Sequence, residues 1–289
     1  MSNRDSVRRF LFNNTNIRGE RVILDSSFEQ ALASHDYPEP VRKLLGELVA
    51  ATVLLSTTLK YKGLMTIQAK GTGPLSLLMV ECTDQQTFRA LARVSGDCSQ
   101  SGLSNLLGQG QMVMTIDPDQ GKRYQGIVPL NDETLSQSLE HYFAQSEQLP
   151  TRVWLASDGM KASGLFIQSL PDNKDNGAYD KGETWNRITT LSNTVSGNEL
   201  LTLDSERLLG RLYHEEDVRV FDAESVSFKC NCSLQRSAHI IRGIGQEEAE
   251  SVVRDEGKIA MDCQFCNKQY TFSAEDVAKI FSGHDLKIF

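Results

Sequence analysis

An α+β fold is predicted for these 289 residues. It comprises a mostly antiparallel N-terminal sheet packed with helices, a helical linker and a small C-terminal domain organised by four cysteines. Three observations predict it. Apolar residues recur at three- and four-residue spacing through Leu44, Leu45, Leu48, Val49, Leu55 and Leu59, then change to short alternating runs separated by turn residues up to Gln168. All seven prolines lie at or before Pro171, and a polar stretch follows. Four cysteines crowd into the last quarter as Cys230-Asn231-Cys232 and Cys263-Gln264-Phe265-Cys266.

Taken in order, residues 20 to 60 read as helical, with Pro38 and Pro40 marking the start of the main helix. Leu64–Ala69 and Leu75–Val80 flank Gly71-Thr72-Gly73-Pro74, a hairpin signal, and Phe88–Val94 reads as the next strand. Met112, Met114 and Ile116 lead to the turn Asp117–Gly121, from which Tyr124–Val128 returns. Met65, Met79, Met112 and Met114 alternate with strand periodicity and read as core. A helix is expected over 132–146, then strands at Arg152–Ala156 and Leu165–Gln168. Hairpin-joined strands need no crossover helices, hence a largely antiparallel sheet. Residues 172–184 are polar and read as connector. Leu200, Leu201, Leu203, Leu208, Leu209 and Leu212, set among Asp, Glu and Arg, predict amphipathic helices whose apolar face must be covered, most simply by the first domain's sheet. The expected boundaries are 1–171 for the core domain, 172–224 for the linker and 225–289 for the cysteine domain. In that last part, Glu247–Asp255 and Ala274–Phe281 read as helices.

Composition excludes several functions. A formal charge of −8 with no basic stripe argues against a nucleic-acid partner, because phosphate binding needs a local Lys/Arg excess. The N-terminal Phe10-Leu11-Phe12 is too short for a signal-peptide core. The longest apolar run contains Glu47, so it reads as a buried helix, not a membrane span. The expected location is the cytoplasm. Gly71-Thr72-Gly73 runs into Pro74 and a strand, so it is a turn and not a phosphate cradle. His141 and His214 have no second ligand nearby and read as surface residues. Cys82 ends an apolar run and reads as an inert buried thiol, while Cys98 lies in a polar loop; neither receives a role.

The cysteine quartet admits three readings. A thioredoxin-like site would need one C-x-x-C at a helix N-terminus, but Cys263 follows a strand-like stretch and Cys266 leads into another. A structural zinc ribbon accounts for all four sulfurs, Cys230, Cys232, Cys263 and Cys266, around one tetrahedral Zn²⁺. Four thiolates close the coordination shell, so no water is activated and no enzyme is expected. The third reading is a reversible one. Each pair can close on itself, and a disulfide across one intervening residue strains its dihedral and is easily reduced again. Zinc in small Cys-rich modules supplies ~10–16 kcal/mol of folding free energy, against a net ~5–15 kcal/mol for a whole domain. Losing it should unfold the last domain.

The chain resembles the thirty-three-kilodalton heat-shock protein family (HslO), redox-regulated holdase chaperones of bacteria. The resemblance rests on both cysteine pairs, on Arg211–Glu216 and Glu199–Leu203, and on Gly108–Gln111, Arg123–Gly126, Tyr142-Phe143, Ser146–Pro150 and Phe228–Cys230. It implies an ATP-independent chaperone that is an inactive zinc-bound monomer when reduced. It further implies that oxidation forms disulfides Cys230–Cys232 and Cys263–Cys266, releases the zinc and disorders the C-terminal domain and linker. The oxidised protein would then be a homodimer holding unfolded or oxidatively damaged clients on bared apolar surface, for which the six leucines are the candidates. A zinc-ribbon module that docks RNA or protein, and a dithiol oxidoreductase, stay open beside it.

Overall fold

The computed structural model describes residues 4–58, 61–171 and 181–282, and divides into two units, Met1–Lys229 and Cys230–Phe289. In the first unit β1 (Ser6–Phe12) and β2 (Ile17–Leu24) form a hairpin, followed by α1 (Ser26–Leu32) and the long α2 (Glu39–Thr58). Then come β3 (Gly63–Gly71), β4 (Leu75–Thr83), β5 (Thr87–Val94), the short α3 (Leu103–Leu107), β6 (Gly110–Pro118) and β7 (Tyr124–Pro129). Next are α4 (Leu135–Tyr142), which runs into a π-helical turn at Phe143–Glu147, and the strands β8 (Thr151–Ser157) and β9 (Ala162–Ser169). The helices α5 (Lys181–Ser192), α6 (Gly197–Thr202) and α7 (Ser205–Tyr213) follow, and three short strands, β10 (Val218–Val220), β11 (Glu224–Ser225) and β12 (Ser227–Phe228), close the unit.

Two six-stranded sheets result, not one. The first runs β10-β1-β2-β9-β8 with β11 also on β1; the second runs β12-β5-β4-β3-β6-β7. Every pairing is antiparallel except β12 on β5. Helix α2 touches strands of both sheets, and 13 of its 20 residues are buried. Its apolar residues therefore wrap most of its circumference, not the single stripe that the leucine spacing indicates. Close approach on one side is permitted by Gly46, where a Cβ would lie 2.3 Å from Ser157 Oγ.

Two secondary-structure expectations are corrected. Residues 20–24 are strand, not helix: Val22 and Leu24 alternate inward, and the charges of Glu20 and Arg21 hide the period because both side chains are buried. The stretch Phe10-Leu11-Phe12 is the end of strand β1. Residues 181–184, read as connector for want of apolar side chains, already belong to α5; residues 172–180, like Leu59 of the α2 stripe, lie outside the described residues. Met65, Met112 and Met114 are buried in the core, as expected.

The three helices α5–α7 lie on the outer face of the first sheet. Ile188, Leu200, Leu208, Leu209, Leu212 and Tyr213 form one buried cluster with Phe10, Phe12, Ile17, Leu165 and Ile167 of the strands. Their starts are written locally. Ser196 and Glu199 make a reciprocal capping box for α6, and Asp204 accepts the Arg207 N–H at 2.8 Å to begin α7.

Candidate metal centre

The second unit is built from α8 (Leu234–Ile244), α9 (Gln246–Glu256), the hairpin β13 (Ile259–Asp262) with β14 (Gln269–Phe272), and α10 (Ala274–Ser282). Its core is small: Ala238, Ile241, Ala249, Ile259, Tyr270, Phe272, Val277 and Ile280. A core of eight such side chains gives a unit of this size marginal stability at best.

Both cysteine pairs are positioned by turn chemistry. Cys230 and Cys232 sit just before α8, whose start is fixed by Ser233 accepting the Arg236 N–H at 3.2 Å. Cys263 and Cys266 occupy the loop of the β13–β14 hairpin. There the Cys263 N–H reaches the Lys268 carbonyl at 3.0 Å and the Asn267 N–H returns to the Cys263 carbonyl at 2.8 Å. The loop turns through Asn267 at φ 53°, a left-handed conformation that Asn tolerates better than most residues.

The result is one cluster. All four Sγ atoms lie within 4.8 Å of one another, with Cys230–Cys263 at 3.6 Å and Cys232–Cys266 at 3.5 Å. A tetrahedral S₄ set with ~2.3 Å metal–sulfur bonds places its sulfurs about 3.8 Å apart. The four thiols thus lie close enough to bind one metal ion, and the donor set is compatible with Zn²⁺. Each sulfur of the first pair lies against one of the second, so the two halves of the motif share a common centre.

The hydroxyl of Tyr270 donates to Cys232 Sγ at 3.2 Å, and Lys268 Nζ lies 5.3 Å from the Tyr270 ring centre. Burial pushes the Cys232 thiol up, but the Tyr270 hydroxyl and the neighbouring thiols outweigh it and draw the group down to about 7. Burial and the same thiols push Cys266 up to about 12. Sequence reading missed Tyr270; the signal was there, in a strand that leaves Cys266 and returns an aromatic hydroxyl four residues later.

The six leucines gather elsewhere, on the first sheet, with Leu200, Leu208, Leu209 and Leu212 buried and Leu201 and Leu203 partly so. Cys82 is fully buried, and desolvation lifts its thiol to about 12, which leaves it unreactive. Cys98 lies in a loop among exposed residues, as expected, with its own side chain buried. His141 lies at the surface with Nδ1 2.9 Å from Asp132.

A family model described as Hsp33 protein matches residues 5–273. The chain belongs to the Hsp33 family. Relatives named 33 kDa chaperonin support the membership: that of Ectopseudomonas mendocina is 47% identical over 284 residues, covering 96% of this chain and 96% of its own. That of Pseudomonas aeruginosa strain LESB58 is 46% identical over 286 residues, covering 98% and 96%. The crystal structure of 33 kDa chaperonin from Thermotoga maritima superposes with a TM-score of 0.83 at 21% identity, over 96% of this chain and 98% of that one. At that identity the likeness speaks for the fold alone.

Proposed function

We propose that this chain is a molecular chaperone, a holdase that works without ATP and is gated by thiol oxidation. The observation that carries the reading is the cluster of four sulfurs within 4.8 Å in a unit whose own core is small. The family and the names of its relatives support the chaperone half. A bound Zn²⁺, held by Cys230, Cys232, Cys263 and Cys266, would keep the sulfurs as thiolates and add most of the unit's folding free energy.

The residues then act as follows. A two-electron oxidant such as a peroxide takes two electrons from each pair. One equivalent is consumed per pair: one sulfur–sulfur bond forms in each, Cys230–Cys232 and Cys263–Cys266, and the peroxide oxygens leave as water with the protons supplied by solvent. A sulfur in a disulfide is a far weaker metal ligand than a thiolate, so the centre can no longer close. The 225–289 region unfolds, the 172–224 linker with α5–α7 loosens, and Leu200, Leu201, Leu203, Leu208, Leu209 and Leu212 become available to unfolding clients, in a homodimer. The setting is the cytoplasm, where reduction restores the resting state. No helix among the described residues is long and apolar enough to cross a membrane, and the acidic composition disfavours nucleic acid as partner.

The test is a titration with hypochlorite, or with peroxide under mildly unfolding conditions. Released zinc is followed by a chromogenic chelator and aggregation of a denatured client by light scattering. One zinc released per chain, in step with suppressed aggregation, is expected. Oxidised, zinc-free protein that protects the client no better than the reduced form would sink the proposal.

A further inference from the structure

Beneath the α5–α7 layer lies a charge with no counter-charge. Arg21 projects from the outer face of β2 and is 0% exposed. Its guanidinium donates to the carbonyls of Val22, Gly164 and Leu200 and to the hydroxyl of Ser163. Its Nε is buried without a partner, and among the described residues no carboxylate pairs with it. Burial alone depresses its pKa, to about 9, with no charged neighbour contributing.

Most of these acceptors have no need of Arg21. Val22 and Gly164 stand opposite each other in the β2–β9 ladder, in the same phase as the bonded Asn16 and Leu170 pair three two-residue repeats away, so their carbonyls already accept ladder N–H groups. The Leu200 carbonyl, in the last turn of α6, also accepts the Ser163 hydroxyl at 2.7 Å. The guanidinium is thus desolvated for the sake of one helix-terminal carbonyl that has another donor. Burying an ion without a paired ion is among the least favourable contacts a fold can contain, and replacing it with an apolar side chain of similar size is often stabilising.

We infer that Arg21 keeps the helical layer poised to lift: it is sealed in by α6, it regains hydration when α6 departs, and it thereby lowers the cost of opening the layer. The apolar contacts of Phe10, Phe12, Leu165 and Ile167 with the helices hold the layer down, and the covered cation sets how easily that hold is broken. The inference rests on the proposed release of α5–α7 for its purpose, but not for its test.

The experiment is amide hydrogen exchange on the full-length, reduced, zinc-loaded protein. It follows the Leu200 and Leu203 amides, which bond within α6 to the Ser196 and Glu199 carbonyls at 3.0 Å each. In Arg21→Met both should exchange roughly tenfold or more slowly than in the parent. In Arg21→Lys, which keeps the charge, they should not slow. Unchanged or faster exchange in the Met variant, or its failure to fold, overturns the inference, because the guanidinium bonds would then outweigh desolvation. Equal slowing in the Lys variant overturns it too, because charge would not be the cause. Slower exchange in Arg21→Met together with an oxidised parent that protects no client leaves this assignment standing and removes the chaperone reading instead.

Discussion

Buried and half-buried ionisable side chains are where this sequence departs from simple patterning, and their protonation is measurable. Glu47 sits on α2 between apolar neighbours, and desolvation raises its carboxyl to about 7. The folded state therefore prefers the protonated form. The resulting penalty is absent below the ordinary carboxylate value, grows as pH rises from 4.5 to 7, and is complete above it. A shift of that size corresponds to about 3 kcal/mol. Glu47→Gln should accordingly raise the midpoint of thermal unfolding at pH 8 and leave it nearly unchanged at pH 4.5; an equal gain at both values would contradict the assignment. At the candidate metal centre, the Tyr270 hydroxyl donates one hydrogen bond to Cys232, a proposed ligand. Partners of this kind are typically worth 10–100-fold in metal affinity. Tyr270→Phe, which keeps the ring in the small core, is expected to lose zinc to a competing chelator about tenfold more readily.

At the scale of elements, α7 is the best test of how the helical layer is held. Leu208 is 0% exposed, and Leu209, Leu212 and Tyr213 bury the same face of the helix. Leu208→Ala deletes contacts to the sheet and should cost ~2–5 kcal/mol locally. Limited proteolysis of the reduced, zinc-loaded protein should then cut within α5–α7 at lower protease concentration, while the strands stay intact. Elements of this sort were legible in the sequence because one face of each alternates cleanly. The β3–β4 and β6–β7 hairpins and the helices α6, α7, α9 and α10 all follow from period and turn residues. Three features were not legible, each for a physical reason. Strand β2 carries two buried charges, Glu20 and Arg21, where a pattern reader expects apolar residues. Helix α5 starts in a polar stretch and is fixed by tertiary contacts of Trp185, Ile188 and Leu191. The division of the strands into two sheets does not follow from local pairing, since it depends on α2 packing against both. The centre was more transparent than the fold: four cysteines at metal-binding spacing specify their own neighbours, whereas Tyr270 carries no such spacing rule.

For the molecule as a whole, the two units differ in what stabilises them, and metal removal should separate them. The first unit has a continuous core running from Val7 to Val226 through both sheets and α2. The second has one cluster of eight buried apolar residues and a quartet of thiols. Zinc contributes ~10–16 kcal/mol to modules of this kind, more than such a core supplies alone. Chelation under reducing conditions should therefore unfold Cys230–Phe289 without any oxidant. Far-ultraviolet circular dichroism should lose the helicity of α8, α9 and α10 while the strand signal persists, and hydrogen exchange should rise across those helices before it rises in α2. Thermal unfolding, a single step or two closely spaced steps with metal, should resolve into a low transition for the second unit and an unchanged high one for the sheets. If the chelated, fully reduced protein kept α8–α10 protected, the cysteines would be passengers on a unit that folds by packing alone, and oxidation would have no structural lever to pull.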